Sequence, residues 1–166
     1  MKKLFLLRHA KSSWSNSELD DFERPLNKRG HRDIPVMAKT ITELKINPDF
    51  ILSSPALRAA YTARNIAQMT GVPEELLQYQ NLIYDASTSV LLNIVRNIDD
   101  KINCLLLVGH NPGLTLLANY LSNKQVENIP TCGLYGMELN ISTWQKASEK
   151  SAKYLLFEYP KKYHRS

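Results

Sequence analysis

The stretch that most constrains the fold lies near the start of the chain, where uninterrupted apolar residues run from Leu4 to Leu7. A run this short, with no helical period, is typical of a strand buried on both faces of a parallel sheet. Arg8 and His9 follow directly, so both fall where the strand ends and a loop begins. In open α/β sheets, ligands bind at this edge. We therefore take Arg8 and His9 as candidate site residues.

The same stretch imitates an export signal, because Met1, Lys2 and Lys3 precede the apolar residues. The apolar run is too short for the hydrophobic region of a signal peptide, and no small-residue cleavage site follows it. Cys104 and Cys132 lack CxxC spacing and are expected to be free, buried thiols. No apolar run approaches the length of a membrane span. These features predict a cytoplasmic protein with no membrane partner.

Length and charge limit the organisation and the partners. We predict one domain over residues 1–160, because 166 residues fit a single domain with a substantial core. A basic C-terminal tail, residues 161–166, carries part of the net charge of +5. A solvated tail is the simplest interpretation, although contact with an acidic partner stays open. Since no aromatic-interleaved basic stripe occurs, we expect no nucleic-acid partner.

Strand and helix patterns alternate along most of the chain. Further strands are predicted at 49–53, 102–108, 133–139 and 152–159, with a short extended segment at 78–83. Helices are predicted at 28–44, 54–69, 87–97 and 111–121. This order predicts an α/β fold, a three-layer sandwich with a mostly parallel central sheet.

Polar residues and prolines predict where the helices begin. Asn27 is a candidate N-cap for the first helix, but Pro35 inside the pattern suggests a true start near Asp33. Ser54 and Asn111 each precede a proline, which predicts a capping residue followed by proline at the first helical position.

Unusual residues gather at the predicted carboxyl ends of three strands. Arg8 and His9 follow the first strand, Arg58 lies just inside the helix after the second, and His110 follows the 102–108 strand. Parallel strands would bring these groups to one edge, where two helix N-termini also favour an anion. A metal site built from His9, His110 and Asp85 is the alternative. Two arginines would repel a cation, so we expect a phosphate site and no metal.

Four ordered blocks resemble a known family. Residues 7–14 are similar to the small SixA-type phosphohistidine phosphatase branch of the histidine phosphatase (phosphoglycerate mutase-like) superfamily. Residues 24–26, 53–59 and 108–112 match its other blocks in order. Ala10 stands where the superfamily has glycine, which the backbone tolerates if φ is negative there. The resemblance implies a phosphoglycerate mutase-like fold.

The resemblance also implies roles for individual residues. His9 would be the nucleophile and carry a phosphohistidine intermediate. Arg8 and Arg58 would clamp the phosphoryl oxygens, and His110 would add a hydrogen bond to one of them. Arg24 is a further phosphate-binding candidate, although a salt bridge to a neighbouring acid explains it equally well. The superfamily needs no metal or organic cofactor.

The general acid is less well defined by the sequence. Asp85 is the best candidate and Glu74 and Glu75 come next, although a carboxylate at a helix start explains Asp85 slightly better. A phosphoramidate substrate relaxes the need for an acid, because imidazole leaves far more easily than an alkoxide.

These residues predict an enzyme, a metal-independent phosphatase, and the resemblance implies that its substrate is phosphohistidine carried by a protein. A small-molecule phosphomonoesterase of the same mechanism is the first alternative. A non-catalytic phosphate-binding or interaction module is the second, which the presence of a nucleophile disfavours.

Overall fold

A computed structural model describes residues 1–164; Arg165 and Ser166, the end of the predicted tail, lie outside the described residues. Within residues 1–164, no helix is both long and apolar enough to cross a bilayer. The strands are β1 (Lys2–Arg8), β2 (Phe50–Ser53), β3 (Leu77–Tyr79), β4 (Cys104–Gly109), β5 (Leu134–Leu139) and β6 (Ala152–Glu158). The α-helices are α1 (Lys28–Glu43), α2 (Leu57–Thr70), α3 (Thr88–Arg96) and α4 (Gly113–Leu121).

The strands form one sheet in the order β3-β2-β4-β1-β5-β6. The first four strands in this order are parallel, while β5 and β6 are antiparallel to their neighbours. Helices α1 and α2 contribute to the core on one face and α3 and α4 to the core on the other. The prediction of a three-layer α/β sandwich with a mostly parallel sheet is therefore confirmed.

Strand β1 lies inside the sheet and packs on both faces, as its apolar run predicts. Leu4 and Leu6 belong to the core beneath α3 and α4, whereas Phe5 and Leu7 belong to the core beneath α1 and α2. Their alternation follows from the two-residue period of a strand. Each face of β1 is therefore covered by a helix layer, so residues of this strand can approach solvent at its carboxyl end.

The first helix begins earlier than its internal proline suggests. The side chain of Asn27 accepts a hydrogen bond from the Gly30 N–H at 2.9 Å, so the helix begins at Lys28. The expected start near Asp33 is wrong. Pro35 lies on the exposed face inside α1, where its missing N–H leaves the His31 carbonyl open to water.

Two other predicted helix starts are displaced. Helix α2 begins at Leu57 rather than after Ser54, and helix α4 begins at Gly113 rather than after Asn111, so neither predicted residue occupies the N-cap position. Asn111 still acts near its helix, because its Oδ1 accepts from the Thr115 N–H at 3.2 Å. Ser54 is used for another contact, described below.

The first part of the predicted tail lies against α1. Pro160–Lys162 form a single 3-10 turn, and His164 Nε2 lies 2.9 Å from Asp33 Oδ1. Asp33 is buried, so this contact joins the end of the described chain to the start of α1. A role for the tail in binding an acidic partner stays a prediction.

Candidate active site

The register of the sheet builds the site. Arg8 of β1 pairs with Gly109 of β4, and Ser53 of β2 pairs with Val108, so three carboxyl ends lie side by side. The next residue of each strand therefore enters the same space, and the rings of His9 and His110 have centroids 5.1 Å apart. The predicted convergence of Arg8, His9, Arg58 and His110 is present in the structure, since all four line one pocket of about 220 Å³.

His9 has the geometry and charge state of a nucleophile. Its Nδ1 lies 2.7 Å from the Ala10 carbonyl oxygen, so Nδ1 carries the proton and donates it there. The lone pair then lies on Nε2. Burial lowers the pKa of His9 from 6.5 to about 3, and the charges of neighbouring residues contribute further. The ring is therefore neutral across the physiological range.

Ala10 allows the chain to leave the strand without strain. It is fully buried, and it is not among the residues whose φ is positive. Its N–H donates to Thr62 Oγ1 at 3.0 Å, and that hydroxyl donates to the Arg58 carbonyl. This chain of contacts fixes the backbone beside His9 to the first turn of α2.

Two buried side-chain nitrogens have no hydrogen-bond partner within residues 1–164, and both belong to this pocket: Arg8 Nε and His110 Nδ1. Arg8 is held by one bond, from Nη1 to the Ile129 carbonyl at 3.1 Å. Burial and the nearby Arg58 lower the pKa of Arg8 from its ordinary value. Because buried polar groups are nearly always paired, these two nitrogens indicate a site for a hydrogen-bond acceptor.

Ser54 sets the tautomer of His110. Its hydroxyl oxygen accepts from the Ala56 N–H at 3.2 Å and lies 2.7 Å from His110 Nε2. We assign the hydroxyl hydrogen to Nε2, which places the ring proton on Nδ1. Burial lowers the pKa of His110 to about 4, so the ring is neutral and its Nδ1–H is a donor. Of the two ring nitrogens, Nδ1 is thus the one with a free N–H among the described residues, and the hydrogen bond from His110 to a phosphoryl oxygen stays a prediction.

Asp21 is the site residue that sequence reasoning missed. Its Oδ2 accepts from Arg58 Nη2 at 2.9 Å and from the Tyr84 hydroxyl at 2.7 Å. Its Oδ1 accepts from Arg24 Nη1 at 2.8 Å, and its backbone oxygen accepts from Arg58 Nη1 at 2.6 Å. The Tyr84 hydrogen bond, followed by Arg58, lowers the pKa of Asp21 to about 2. Asp21 lies three residues before Arg24, and this spacing is the sequence feature that could have indicated their salt bridge.

Arg24 lines the pocket but is committed to protein partners. Its Nη1 binds Asp21, its Nε donates to the Ser13 carbonyl at 3.2 Å, and its Nη2 donates to the Ser12 hydroxyl. The guanidinium carbon lies 3.3 Å from the centroid of the Trp14 ring. The salt bridge considered for Arg24 is therefore present, and its binding of phosphate stays a prediction.

The acid candidates lie apart from this cluster. Asp85 occupies an exposed turn with φ of 56° and is not among the described residues that line the pocket. Glu74 and Glu75 form part of a 3-10 turn before β3, and Glu74 lines a different surface cavity with Arg64. A proton-donor role for Asp85 stays a prediction. Within residues 1–164, no group of three or more His, Cys, Asp or Glu side chains could hold a metal ion.

Comparison with protein families and relatives gives a consistent result. The model of the histidine phosphatase superfamily (branch 1) matches residues 4–80. An uncharacterised chloroplastic protein of Arabidopsis thaliana is 32% identical over 154 residues, which cover 88% of this chain and 70% of the relative.

Solved structures share the fold. The structure of the protein histidine phosphatase SixA with tungstate has a TM-score of 0.83 at 16% identity, covering 98% of this chain and 99% of that chain. A protein from Agrobacterium tumefaciens, assigned as the phosphohistidine phosphatase SixA, has a TM-score of 0.77 at 24% identity, covering 96% of this chain and 99% of that chain.

The two neutral histidines predict a pH dependence of stability. Their pKa values are lowered on folding, so between pH 6.5 and about 4 the unfolded chain binds protons that the folded chain does not. We expect the free energy of unfolding to fall as the pH is lowered through this range, and His9→Asn to reduce the slope. Urea unfolding at a series of pH values measures it, with His31→Asn as the control. An unchanged slope in His9→Asn would contradict the neutral, buried ring.

The tautomer of His110 gives a second prediction. Ser54→Ala removes the donor to Nε2, so ¹⁵N NMR should show the Nδ1–H form of His110 losing its dominance. We expect tungstate affinity to fall about fivefold, since a hydrogen bond is worth about 1 kcal/mol. Ser53→Ala is the matched control, because its buried hydroxyl donates to the Ser54 carbonyl instead. Equal tautomer populations in the two variants would refute the assignment.

Proposed function

The chain belongs to the histidine phosphatase superfamily, and from that premise we propose that it removes the phosphoryl group from phosphohistidine on a protein, through a phosphohistidine intermediate at His9. The named SixA structures, which share its fold, support this choice of substrate. The residues that we assign to the reaction are His9 as the nucleophile, with Arg8, Arg58 and His110 around the phosphoryl group.

The observation that carries the proposal is that the site has no protonated carboxyl group within residues 1–164. No Asp or Glu is among the described residues that line the pocket. Asp21, which contacts two of its arginines, has a pKa of about 2 and holds no proton near neutral pH. An alkoxide leaving group needs a proton donor, whereas imidazole departs as a neutral ring. The site therefore suits a phosphoramidate better than a phosphoester.

The first step exchanges one P–N bond for another. The His9 Nε2 lone pair attacks phosphorus in line, while the P–N bond of the substrate breaks and its electron pair returns to the substrate nitrogen. The other nitrogen of the substrate ring carries a proton, so the ring leaves as neutral imidazole. His9 keeps its proton on Nδ1, which donates to the Ala10 carbonyl oxygen throughout. The phosphorylated ring of His9 is thus also prepared to leave as neutral imidazole.

The second step returns His9 to its starting state. A water attacks phosphorus on the side opposite Nε2, while the P–N bond breaks and its electron pair returns to Nε2. A proton of the water passes to a phosphate oxygen or to solvent. Arg8 and Arg58 stabilise the charge on the phosphoryl oxygens in both steps, because charge-assisted hydrogen bonds are strong in a buried site. His110 adds its Nδ1–H to this set.

The size of the pocket favours a protein substrate. A volume of about 220 Å³ between charged side chains holds a phosphoryl group, and the group that carries it must lie outside. The connection from α2 to β4 contains only β3, α3 and short turns, so it provides no long covering insertion. A phosphorylated side chain projecting from another protein can reach such an open site.

The nucleophile gives a direct prediction. His9→Ala should abolish turnover, since the other imidazole of the pocket, His110, has a proton on Nδ1 and has its Nε2 bonded to Ser54. Tungstate binding should weaken by less than about tenfold, because the arginine clamp is retained. Calorimetry with tungstate and phosphate release by the same preparation test both statements. Activity equal to that of the wild type would exclude a His9 intermediate.

Substrate choice is tested by phosphate release from a phosphohistidine-bearing protein and from glycerol phosphate, both with chelator present. We expect at least a hundredfold higher kcat/KM for the phosphohistidine protein, from the leaving-group argument, and no effect of the chelator. Preference for the ester would instead indicate a working general acid and a small-molecule phosphatase. Activity on neither substrate would leave a phosphate-binding module.

A further inference from the structure

Trp14 is an exposed aromatic residue at the rim of the phosphate pocket. The sequence has two tryptophans, and they lie in opposite environments. Trp144 is fully buried in the core, whereas 73% of the Trp14 surface is exposed. Trp14 also lines the pocket together with His9 and Arg58. A large exposed indole that lines this pocket differs from a single surface residue elsewhere, because a group bound in the pocket can contact it.

The indole is supported from one side by Arg24. The guanidinium carbon lies 3.3 Å from the centre of the ring, which is a cation–π stacking distance. Arg24 is itself buried and fixed by hydrogen bonds to Ser12, Ser13 and Asp21. One face of Trp14 is therefore held against a rigid base, and its high exposure leaves the opposite face to solvent.

In-line transfer places the leaving group on this side of the pocket. The attacking and leaving atoms lie on opposite sides of phosphorus. His9 is only 7% exposed, so it attacks from the buried side. The leaving group must then lie towards solvent, at the rim to which Trp14 contributes.

We propose that the exposed face of Trp14 is the leaving-group subsite, on which the planar imidazole ring of the phosphohistidine substrate stacks. This inference rests on the proposed function. The protonated imidazole ring is flat and cationic, so it suits an indole face through both stacking and charge. A flexible alkyl amine can supply the charge but has no flat ring that stacks over the same area. Trp14 therefore selects an aromatic leaving group, while the arginines bind any phosphoryl group.

The test compares two phosphoramidates that differ in the leaving group alone. One short peptide carries phosphohistidine and the other carries phospholysine at the same position. For Trp14→Ala we expect kcat/KM on the phosphohistidine peptide to fall about three- to tenfold, the range of a lost aromatic pair. The change should lie in KM, because stacking acts equally before and during transfer. Activity on the phospholysine peptide should stay within twofold.

Two further variants separate stacking from structural effects. Trp14→Phe keeps an aromatic face and should retain most of the preference for the phosphohistidine peptide. Met69→Ala is the matched control, because Met69 is also exposed but lies in the last turn of α2, at the opposite end from Arg58. It should leave both substrates unchanged.

Fluorescence gives a readout that does not depend on turnover. In the His9→Ala background, titration with the phosphohistidine peptide should change the emission of the exposed Trp14, while the phospholysine peptide should change it much less. In His9→Ala/Trp14→Phe the remaining signal comes from buried Trp144, so the change should disappear.

The outcomes separate the two hypotheses. Suppose that the wild type cleaves the phosphohistidine peptide, and that Trp14→Ala either loses activity on both phosphoramidates equally or loses none. The subsite is then overturned and the proposed function stands. If the wild type cleaves neither phosphoramidate, the proposed function fails and the subsite fails with it. A selective loss on the phosphohistidine peptide, restored by Trp14→Phe, supports the subsite.

Discussion

The contacts of Asp21 are the interaction on which the site depends. Three arginines meet at the carboxyl edge of the sheet, where burial strengthens the repulsion between them. The Asp21 carboxylate binds Arg24 and Arg58 at once, and its backbone oxygen binds Arg58 again. The two cations can therefore lie near a third, Arg8, which has no carboxylate partner within residues 1–164 and whose Nε is unpaired there.

The same electrostatics explain why the rings of His9 and His110 are neutral. A histidine that receives a carboxylate partner becomes easier to protonate, which would remove the lone pair needed for attack. Here His9 is bonded through Nδ1 to a carbonyl and His110 through Nε2 to a hydroxyl, so neither ring has a charged partner. Burial and the arginines then lower both pKa values. A pocket lined by three arginines thus keeps the His9 ring neutral without any further charged group.

The sequence predicted the sheet edge well and the loop above it poorly. Apolar runs and strand order place Arg8, His9 and His110 together, because parallel register is fixed by the buried pattern. The contacts of Asp21 depend on how residues 11–26 fold back, and a polar loop has no period from which that path can be predicted. Ser54 was predicted to cap α2, but its hydroxyl contacts His110. The sequence does not distinguish these two roles, because a helix cap and a histidine partner both need a hydroxyl.

The two ends of the loop over residues 11–26 are joined by backbone hydrogen bonds. Ser13 N–H donates to the Pro25 carbonyl at 2.8 Å, and Asn27 N–H donates to the Lys11 carbonyl at 3.0 Å, so the start and end of the segment lie side by side. This closure brings Arg24 beneath Trp14. The strand ends and the first turn of α2 therefore carry the residues that we assign to phosphoryl transfer, and the loop carries Trp14, to which we assign the leaving group. Because the loop contacts the clamp through Asp21 and the rim through Trp14, a change in its path would alter the choice of substrate while leaving the nucleophile in place.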